Sequence, residues 1–277
     1  MRLIDLSMPI WPGAAYGELL PFTNSSVEFF EYAVYEKNGF RMTRIKLDKE
    51  AGSPFMTPAP FSPFDTTPLQ PNSRYTWTLG EIPLDRLILR DTAIIDISVN
   101  EGHEITPDEM EQAISKADYR RSDYILLRTG WGTLERAYDL GIEYYKRTPT
   151  IRYDAGVLLA DKMEQMDSGV FMTDCGLVNP ARVQGHNWFC GDTPLSPLPK
   201  PWPSMEARER AMDLGAKKHA SKEPSSYGAI IKKVMAGCKC LVDCDRIRSN
   251  RVKMIIMPLL IKNGGAIPCR FVALEED

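Results

Sequence analysis

Residues Asp91–Ile114 read DTAIIDISVNEGHEITPDEMEQAI, and this stretch decides the predicted fold class. Asp91–Val99 is a short apolar run that is typical of a buried strand. A helix start follows, with Thr106 as the N-cap, Pro107 in the first helical position and Glu109 three residues after the cap. A buried strand that leads into a capped helix is the repeating unit of α/β proteins.

The same alternation continues outward from this stretch. SDYILLRTGWG (Ser122–Gly132) and SGVFMTDCGLV (Ser168–Val178) are predicted as buried strands, and residues 135–147 and 152–166 between them as helices. Toward the C-terminus we predict helices over 205–220 and 227–237 and strands over 238–247, 252–261 and 266–276. The pattern predicts an α/β protein, a single domain over residues 1–277 with a mixed β-sheet flanked by helices.

A hairpin is predicted near the N-terminus. Two runs rich in aromatic and β-branched residues, 27–37 and 40–49, flank Asn38-Gly39, which is a strong turn signal. Apolar and polar residues alternate in the second run, as in a strand with one buried face.

Composition excludes several classes of protein. The 277 residues are 43% hydrophobic and 26% charged with a net charge of −3, which is typical of a globular protein. The chain has no basic excess and no apolar run of about 18 residues, so we expect neither nucleic acid nor a membrane as partner. The N-terminus meets Asp5 and Pro9 too early for a secretory signal, and we expect a cytoplasmic protein.

The six cysteines do not predict a disulfide framework in a chain of this length. Three of them cluster in CKCLVDC (Cys238–Cys244). A metal site built from cysteine and histidine is one interpretation. A buried strand is the other, and it is favoured because the spacing is not C-x-x-C and the chain has three histidines.

KEAGSPFMTPAPFSPF (Lys49–Phe64) holds four prolines in sixteen residues. Each proline fixes φ and restricts the residue before it, so this segment is predicted as a loop and not as a helix or a central strand.

Several stretches together resemble the metal-dependent cyclase superfamily, which includes kynurenine formamidase and isatin hydrolase. They are LIDLSMPIWPG (3–13), AIIDISVNEGHEITPDEME (93–111), DYILLRTGWG (123–132), SGVFMTDCGLV (168–178) and MPLLIKNGGAIPCRFVAL (257–274). The resemblance covers nearly the whole chain in order. It implies a cyclase fold of the swivelling β/β/α type, a small-molecule substrate and a homodimer or homotetramer.

The family's histidine-rich loop, H-x-G-T-H-x-D-x-P-x-H, falls on EAGSPFMTPAP (Glu50–Pro60). Gly52 and Pro58 keep the glycine and the proline. The ligand and acid/base positions are occupied by Glu50, Pro54, Met56 and Pro60. Proline offers no side-chain donor and a thioether is a weak ligand for zinc or manganese. We therefore predict no catalytic metal and no cofactor.

Glu50, His186 and Asp174 are the candidate catalytic residues. Glu50 is the remaining carboxylate of the loop and could act with Lys49, although a solvated strand end is also consistent with this pair. His186 lies in a loop beside Trp188, where an imidazole suits general acid/base catalysis. Asp174 ends a buried strand, where ligand crevices form, and a turn or capping role is the alternative.

Aromatic residues in and beside the loops suggest a pocket for a flat or cyclic molecule, or else a small core under those loops. The candidate substrate-binding residues are Phe55, Phe61, Trp77, Trp131, Trp188 and Ser53. Apolar surroundings of this kind raise the pKa of a carboxyl group and lower that of a lysine.

These residues favour a metal-independent enzyme that acts on a small carbonyl-containing or cyclic metabolite by general acid/base catalysis. The reaction would be ring closure, ring opening, dehydration or isomerisation. One alternative is a pseudoenzyme that binds a metabolite or an active homologue. An amide or lactone hydrolase is a further alternative.

Overall fold

The computed structural model describes residues 1–11, 27–47, 49–58, 73–141, 143–180 and 225–276. The strands are β1 (Arg2–Asp5), β2 (Glu28–Ala33), β3 (Met42–Lys46), β4 (Pro54–Met56), β5 (Arg90–Asp96), β6 (Glu104–Ile105), β7 (Tyr124–Arg128), β8 (Thr150–Ile151), β9 (Val170–Thr173), β10 (Ala236–Cys238), β11 (Arg251–Pro258) and β12 (Ala266–Glu275). The α-helices are α1 (Tyr35–Asn38), α2 (Pro107–Lys116), α3 (Leu134–Leu140), α4 (Glu143–Lys146), α5 (Tyr153–Gln165) and α6 (Ser226–Ile231).

Eight strands form one mixed sheet in the order β1-β12-β11-β5-β7-β9-β10-β4. Strand β4 also pairs with β12, so the sheet closes into a barrel-like ring. Strands β5, β7, β9 and β10 run parallel to one another, and the other ladders of the ring are antiparallel. The predicted α/β class with a mixed sheet flanked by helices is confirmed.

Alternation along the parallel strands divides the core in two. Ile94 and Leu126 point into the ring, where they join a cluster that includes Phe271. Their neighbours Ile95 and Ile125 point outward into a second cluster under α2, α5 and α6. Because both faces are covered, these strands read as continuous apolar runs rather than as alternating ones.

Helix α2 begins as its sequence predicts. The Glu109 carboxylate accepts a hydrogen bond from the Thr106 amide at 2.8 Å, while the Glu109 amide donates to the Thr106 hydroxyl at 3.4 Å. The backbone bond from Thr106, with help from His103, lowers the pKa of Glu109 to about 2. This reciprocal cap stabilises the helix that covers the outer face of β5.

The hairpin differs from its prediction in two respects. Strands β2 and β3 pair, but the one-turn helix α1 joins them and ends at Gly39, whose φ is 72°. Every residue of β3 is exposed, so the expected buried face is wrong. The hairpin forms a separate two-stranded sheet, and its aromatic pattern therefore faces solvent on both sides.

The Pro-rich segment was predicted to hold no central strand, and this prediction is wrong for Pro54–Met56, which forms β4 and pairs with both β10 and β12. A proline is tolerated at the first residue of a strand.

Other segments are shorter than their sequences predict. The predicted helix over 227–237 ends at Ile231, and β10 begins at Ala236. Residues 238–247 do not form a strand beyond Cys238, because Cys240 and Asp243 adopt left-handed backbone conformations with φ of 60° and 55°. Residues 135–147 form two helices, interrupted at Gly141 with φ 52°. The predicted helix over 205–220 lies outside the described residues. Within the part of the chain that is described, the helices are too short or too polar to cross a membrane.

Candidate functional site

The carboxyl ends of the parallel strands meet at one edge of the ring. The loop after β7, residue Asp174 after β9 and residue Lys239 after β10 all lie there. Strand β4 runs antiparallel to β10, so Glu50, which precedes β4, comes to the same edge. Ligand sites of α/β sheets form at edges of this kind, and two of the predicted catalytic residues are brought to it.

Glu50 forms an ion pair with Lys239. The Lys239 ammonium donates a hydrogen bond to Glu50 Oε2 at 3.1 Å. The Lys239 side chain is 17% exposed to solvent and the Glu50 side chain 24%. Burial raises the pKa of Glu50, but the charges of Lys239 and Lys49 outweigh that effect and the net pKa is lowered. The general expectation that a carboxyl pKa rises here is therefore wrong for Glu50, because a cation lies within hydrogen-bonding distance.

Lys239 is the site residue that sequence reasoning missed. It lies 189 positions from Glu50, between Cys238 and Cys240, which are both buried. A lysine between two inward-facing residues points away from them, which was a usable signal. The sequence offered no way to identify the group that the ammonium meets.

A partly buried phenol, that of Tyr227, lies close enough to Glu50 to feel its charge. Burial, and then the negative charge of Glu50, raise the pKa of Tyr227 well above its usual value. The Tyr227 hydroxyl donates to Met56 Sδ at 3.9 Å, and its backbone amide donates to Asn179 Oδ1 at 2.9 Å. Tyr227 is thus held as a neutral hydroxyl next to an ionised carboxylate.

Asp174 is buried and fully engaged with the loop after β7. Its Oδ1 accepts from the Thr129 amide at 2.9 Å and from the Thr129 hydroxyl at 2.7 Å. Its Oδ2 accepts from the amides of Gly130 at 2.9 Å and Gly132 at 3.4 Å. Burial raises the pKa of Asp174, and these four donors act against the rise. The arrangement corresponds to the turn-organising role that the sequence left open, and it leaves Asp174 without direct access to a ligand.

Gly132 must be glycine in this loop. A Cβ atom there would lie 2.6 Å from Asp174 Cβ and would overlap the Leu241 carbonyl oxygen. The close approach of the backbone is what allows the Gly132 amide to reach the carboxylate.

Ser53 connects the segment before β4 to the rest of the edge. It is buried, accepts from the Met8 amide at 2.8 Å and donates to the Cys240 carbonyl at 2.8 Å. The Cys240 amide in turn donates to the Cys175 carbonyl at 2.8 Å. A continuous hydrogen-bond path therefore runs from the residue after Asp174 to the segment that carries Glu50. These two hydrogen bonds hold that segment in place, and the predicted substrate contact of Ser53 stays a prediction.

Gly52 shapes the same segment. Its φ is +67°, and a Cβ atom would lie 2.9 Å from the Met8 carbonyl oxygen. Both the backbone conformation and the available space require glycine between Glu50 and Ser53.

The three described aromatic residues of the predicted pocket belong to two core clusters, Phe55 and Trp77 to one and Trp131 to another. Phe55 is fully buried inside the ring, 6.3 Å from the Phe271 ring. Trp131 is buried, and its indole donates to the Tyr144 carbonyl at 3.1 Å. Trp77 packs against the core cluster beside Tyr75. For these three the alternative interpretation, a core that makes the loops rigid, describes their contacts.

Phe61, His186 and Trp188 lie outside the described residues, so their roles stay predictions. Cys175 is described and completely buried, and burial raises the pKa of its thiol. A thiol in these surroundings is poorly suited to act as a nucleophile.

The described residues do not fit a divalent metal ion at the position of the family's histidine-rich loop. Pro54 and Met56 lie in β4 and pair with Pro268 and Ala266 of β12. The Met56 sulfur already accepts a hydrogen bond from the Tyr227 hydroxyl. The Glu50 carboxylate binds an ammonium. No group of three or more His, Cys, Asp or Glu side chains suitable for a metal occurs in the described ranges.

The structure is a ring-closed mixed sheet of the α/β class whose polar residues gather at one edge. A comparison of sequences identifies the family of the chain. Residues 4–174 match the family model named Cyclase, described as "Putative cyclase". The match spans more than half of the chain, so the chain belongs to this family. Among curated proteins no sequence matches it.

Solved structures of the same fold extend over the full length. Isatin hydrolase A from Labrenzia aggregata, bound to benzyl benzoate, shares 18% identity with a TM-score of 0.66, over 99% of this chain and 94% of the other. An isatin hydrolase bound to the product analogue thioisatinate shares 16% identity with a TM-score of 0.67, over 100% and 93%. A protein described as a predicted metal-dependent hydrolase from Bacillus stearothermophilus shares 16% identity with a TM-score of 0.61, over 98% and 97%. At these identities the likeness shows the fold alone.

Proposed function

We propose that this member of the Cyclase family is a metal-independent enzyme that acts on a small carbonyl-containing or cyclic molecule by general acid/base catalysis. The observation that carries the proposal is the partly exposed Glu50–Lys239 pair at the carboxyl edge of the parallel strands. The name of one structural neighbour, isatin hydrolase, indicates a small cyclic carbonyl compound as the substrate of that protein. A cytoplasmic location and self-association remain expectations of the same proposal.

The pair supports a defined proton transfer. A Glu50 oxygen removes a proton from the carbon next to a substrate carbonyl. The electron pair of the broken C–H bond forms a C=C bond, and the π pair of the carbonyl group moves onto its oxygen. The Lys239 ammonium, which donates to Glu50, carries the positive charge at this site. In the proposal that charge stabilises the developing oxyanion, which is the charge stabilisation that a metal supplies in other enzymes.

Two further residues complete the proposal. Asp174 is a positioning residue, because it holds the loop after β7 through four hydrogen bonds. His186 is proposed as the general acid that donates its own proton to the product, after which Glu50 releases the abstracted proton to solvent and His186 takes one up, because an unperturbed imidazole exchanges protons near neutral pH.

One observation favours the pseudoenzyme as a second candidate. The lowered pKa of Glu50 makes its carboxylate a weaker base than one with a pKa near the working pH. A protein that binds a carbonyl compound through Lys239 without turning it over would have the same geometry.

The experiment is a turnover screen on protein stripped with EDTA, with its metal content measured on the same sample. Isatin and a set of small lactones and 1,3-diketones serve as substrates, followed by absorbance and by proton exchange in D2O. We expect turnover without metal, and a fall of about 100-fold or more in Glu50→Gln. The matched control is Glu143→Gln, which alters an exposed glutamate paired with Lys146 and should leave turnover unchanged.

Three results would contradict the proposal. Activity that EDTA removes and zinc or manganese restores would show a metal enzyme. Full activity in Glu50→Gln would exclude the assigned base. Binding of these compounds without any turnover would favour the pseudoenzyme.

A further inference from the structure

A groove of about 1000 Å³ lies between the β2–β3 hairpin and the start of β12. Its walls include Phe30, Ile45 and Leu259, whose exposed fractions are 47%, 53% and 65%. Large apolar side chains exposed together in a concave surface are characteristic of a binding site.

Cations line the groove as well. Arg44 and Lys46 from β3 and Lys49 from the following segment are part of its lining, and the described lining residues include no acidic side chain. The Arg44 guanidinium lies over the Tyr32 ring at 5.7 Å, which places a charge next to an apolar wall. The combination matches a ligand with a negative group attached to an apolar body.

The groove and the Glu50–Lys239 pair share one segment of the chain. Lys49 belongs to the groove lining and is adjacent in sequence to Glu50. Ile267, which also lines the groove, pairs with Phe55 in the strand that follows Glu50. Neither Glu50 nor Lys239 is part of the described lining, so the groove is a separate surface near the proposed catalytic carboxylate.

We propose that this groove binds an amphipathic organic anion, with its apolar body against Phe30 and Leu259 and its carboxylate beside Arg44 and Lys46, and that the substrate belongs to this class. The assignment of the ligand as substrate rests on the proposed function. The binding itself does not require turnover.

Three probes of equal size separate charge from apolar contact: 4-phenylbutyrate, 4-phenylbutan-1-ol and 4-phenylbutylamine, titrated by calorimetry. We expect the anion to bind about 10-fold more tightly than the alcohol or the amine, and its affinity to fall as salt is added. The double variant Arg44→Gln/Lys46→Gln should reduce the affinity for the anion to that for the alcohol. The matched control is Arg41→Gln on the same hairpin, which pairs with Glu31 and is not in the groove lining; it should stay within about twofold of the unmodified protein.

Phe30→Ser should weaken all three probes. Equal binding of the three probes, or undiminished anion binding in the double variant, overturns the inference. A third outcome also overturns it: the anion does not bind, the protein self-associates as its concentration rises, and Phe30→Ser abolishes that association. A second copy of the chain would then cover the groove.

Failure of this inference can be told apart from failure of the proposed function. Glu50→Gln should bind 4-phenylbutyrate with unchanged affinity. Anion binding without turnover of any compound would remove the proposed function and leave the groove assignment. Glu50-dependent turnover of neutral compounds without anion binding would remove the groove assignment and leave the proposed function.

Discussion

Asp174 and Glu50 are carboxylates at the same edge of the sheet, yet their surroundings have little in common. Asp174 is 1% exposed and accepts four hydrogen bonds from the Thr129–Gly132 loop. Glu50 remains partly exposed, forms an ion pair with Lys239 and follows Lys49, which lines an open groove.

The difference separates a carboxylate enclosed by hydrogen bonds from one that keeps contact with solvent. A buried carboxylate whose lone pairs are occupied stabilises the fold and cannot accept a proton without losing those bonds. A partly exposed ion pair contributes less to stability, and Glu50 is therefore the proposed base. The sequence suggested Glu50 from its place in the loop and Asp174 from the end of its strand, and neither signal distinguishes these cases.

The largest effect is expected at Asp174. Asp174→Ala leaves four donors without an acceptor and should lower the free energy of unfolding by about 4 kcal/mol, measured by urea denaturation. Asp174→Asn retains one oxygen and should cost about 2 to 3 kcal/mol, because its amide then faces two backbone N–H groups. Losses under about 1 kcal/mol in both variants would show that Asp174 is not structural.

Ser53 provides the next effect, since it connects the two regions. Ser53→Ala deprives the buried Met8 amide of its acceptor and should lower the free energy of unfolding by about 2 kcal/mol. Ser115→Ala is the control, because that hydroxyl is exposed on α2, and it should change the stability by less than about 0.5 kcal/mol. A similar cost for both serines would mean that the path through Ser53 contributes little.

Glu50 should behave in the opposite way to Asp174. In a double-mutant cycle, Glu50→Gln and Lys239→Met are expected to show a coupling of about 1 kcal/mol or less in stability, since both side chains keep contact with solvent. The exposed pair Glu143 and Lys146 gives the reference value. A coupling as large as the effect of Asp174→Ala would make Glu50 a structural residue and remove the contrast.

A third carboxylate, remote from both regions, tests how pH acts on stability. The pKa of Glu109 is lowered from 4.5 to about 2, so its contribution is complete above pH 4.5 and is lost as pH falls toward 2. Because this side chain is more than a third exposed, we expect a loss of only about 1 kcal/mol after screening by solvent. Glu109→Gln keeps the amide contact to Thr106 and should flatten this part of the stability curve; an unchanged curve would assign the acid response to other groups.

Much of the fold was predictable because local signals and tertiary structure agree. The cap at Thr106 and the apolar runs of β5, β7 and β9 report burial and helix start directly. The exposed face of β3 was not predictable, since its alternation is the same whether a strand packs on a core or stands apart.

The candidate site was only partly predictable. Glu50 could be named as the remaining carboxylate of the loop, and Asp174 from the end of its strand. The partner of Glu50 could not, because a contact across 189 positions depends on the register of β4 against β10, and three-residue strands carry almost no register information.

Strand β4 is held by β10 and β12, both of which follow it in the chain by about 180 residues or more. On the ribosome, the segment that carries Glu50 is therefore made long before either of its neighbours exists. Its pairing in the sheet waits until β10 and β12 emerge, and pairings this distant form slowly. The same closure that positions the carboxylate thus delays the completion of the ring until late in synthesis.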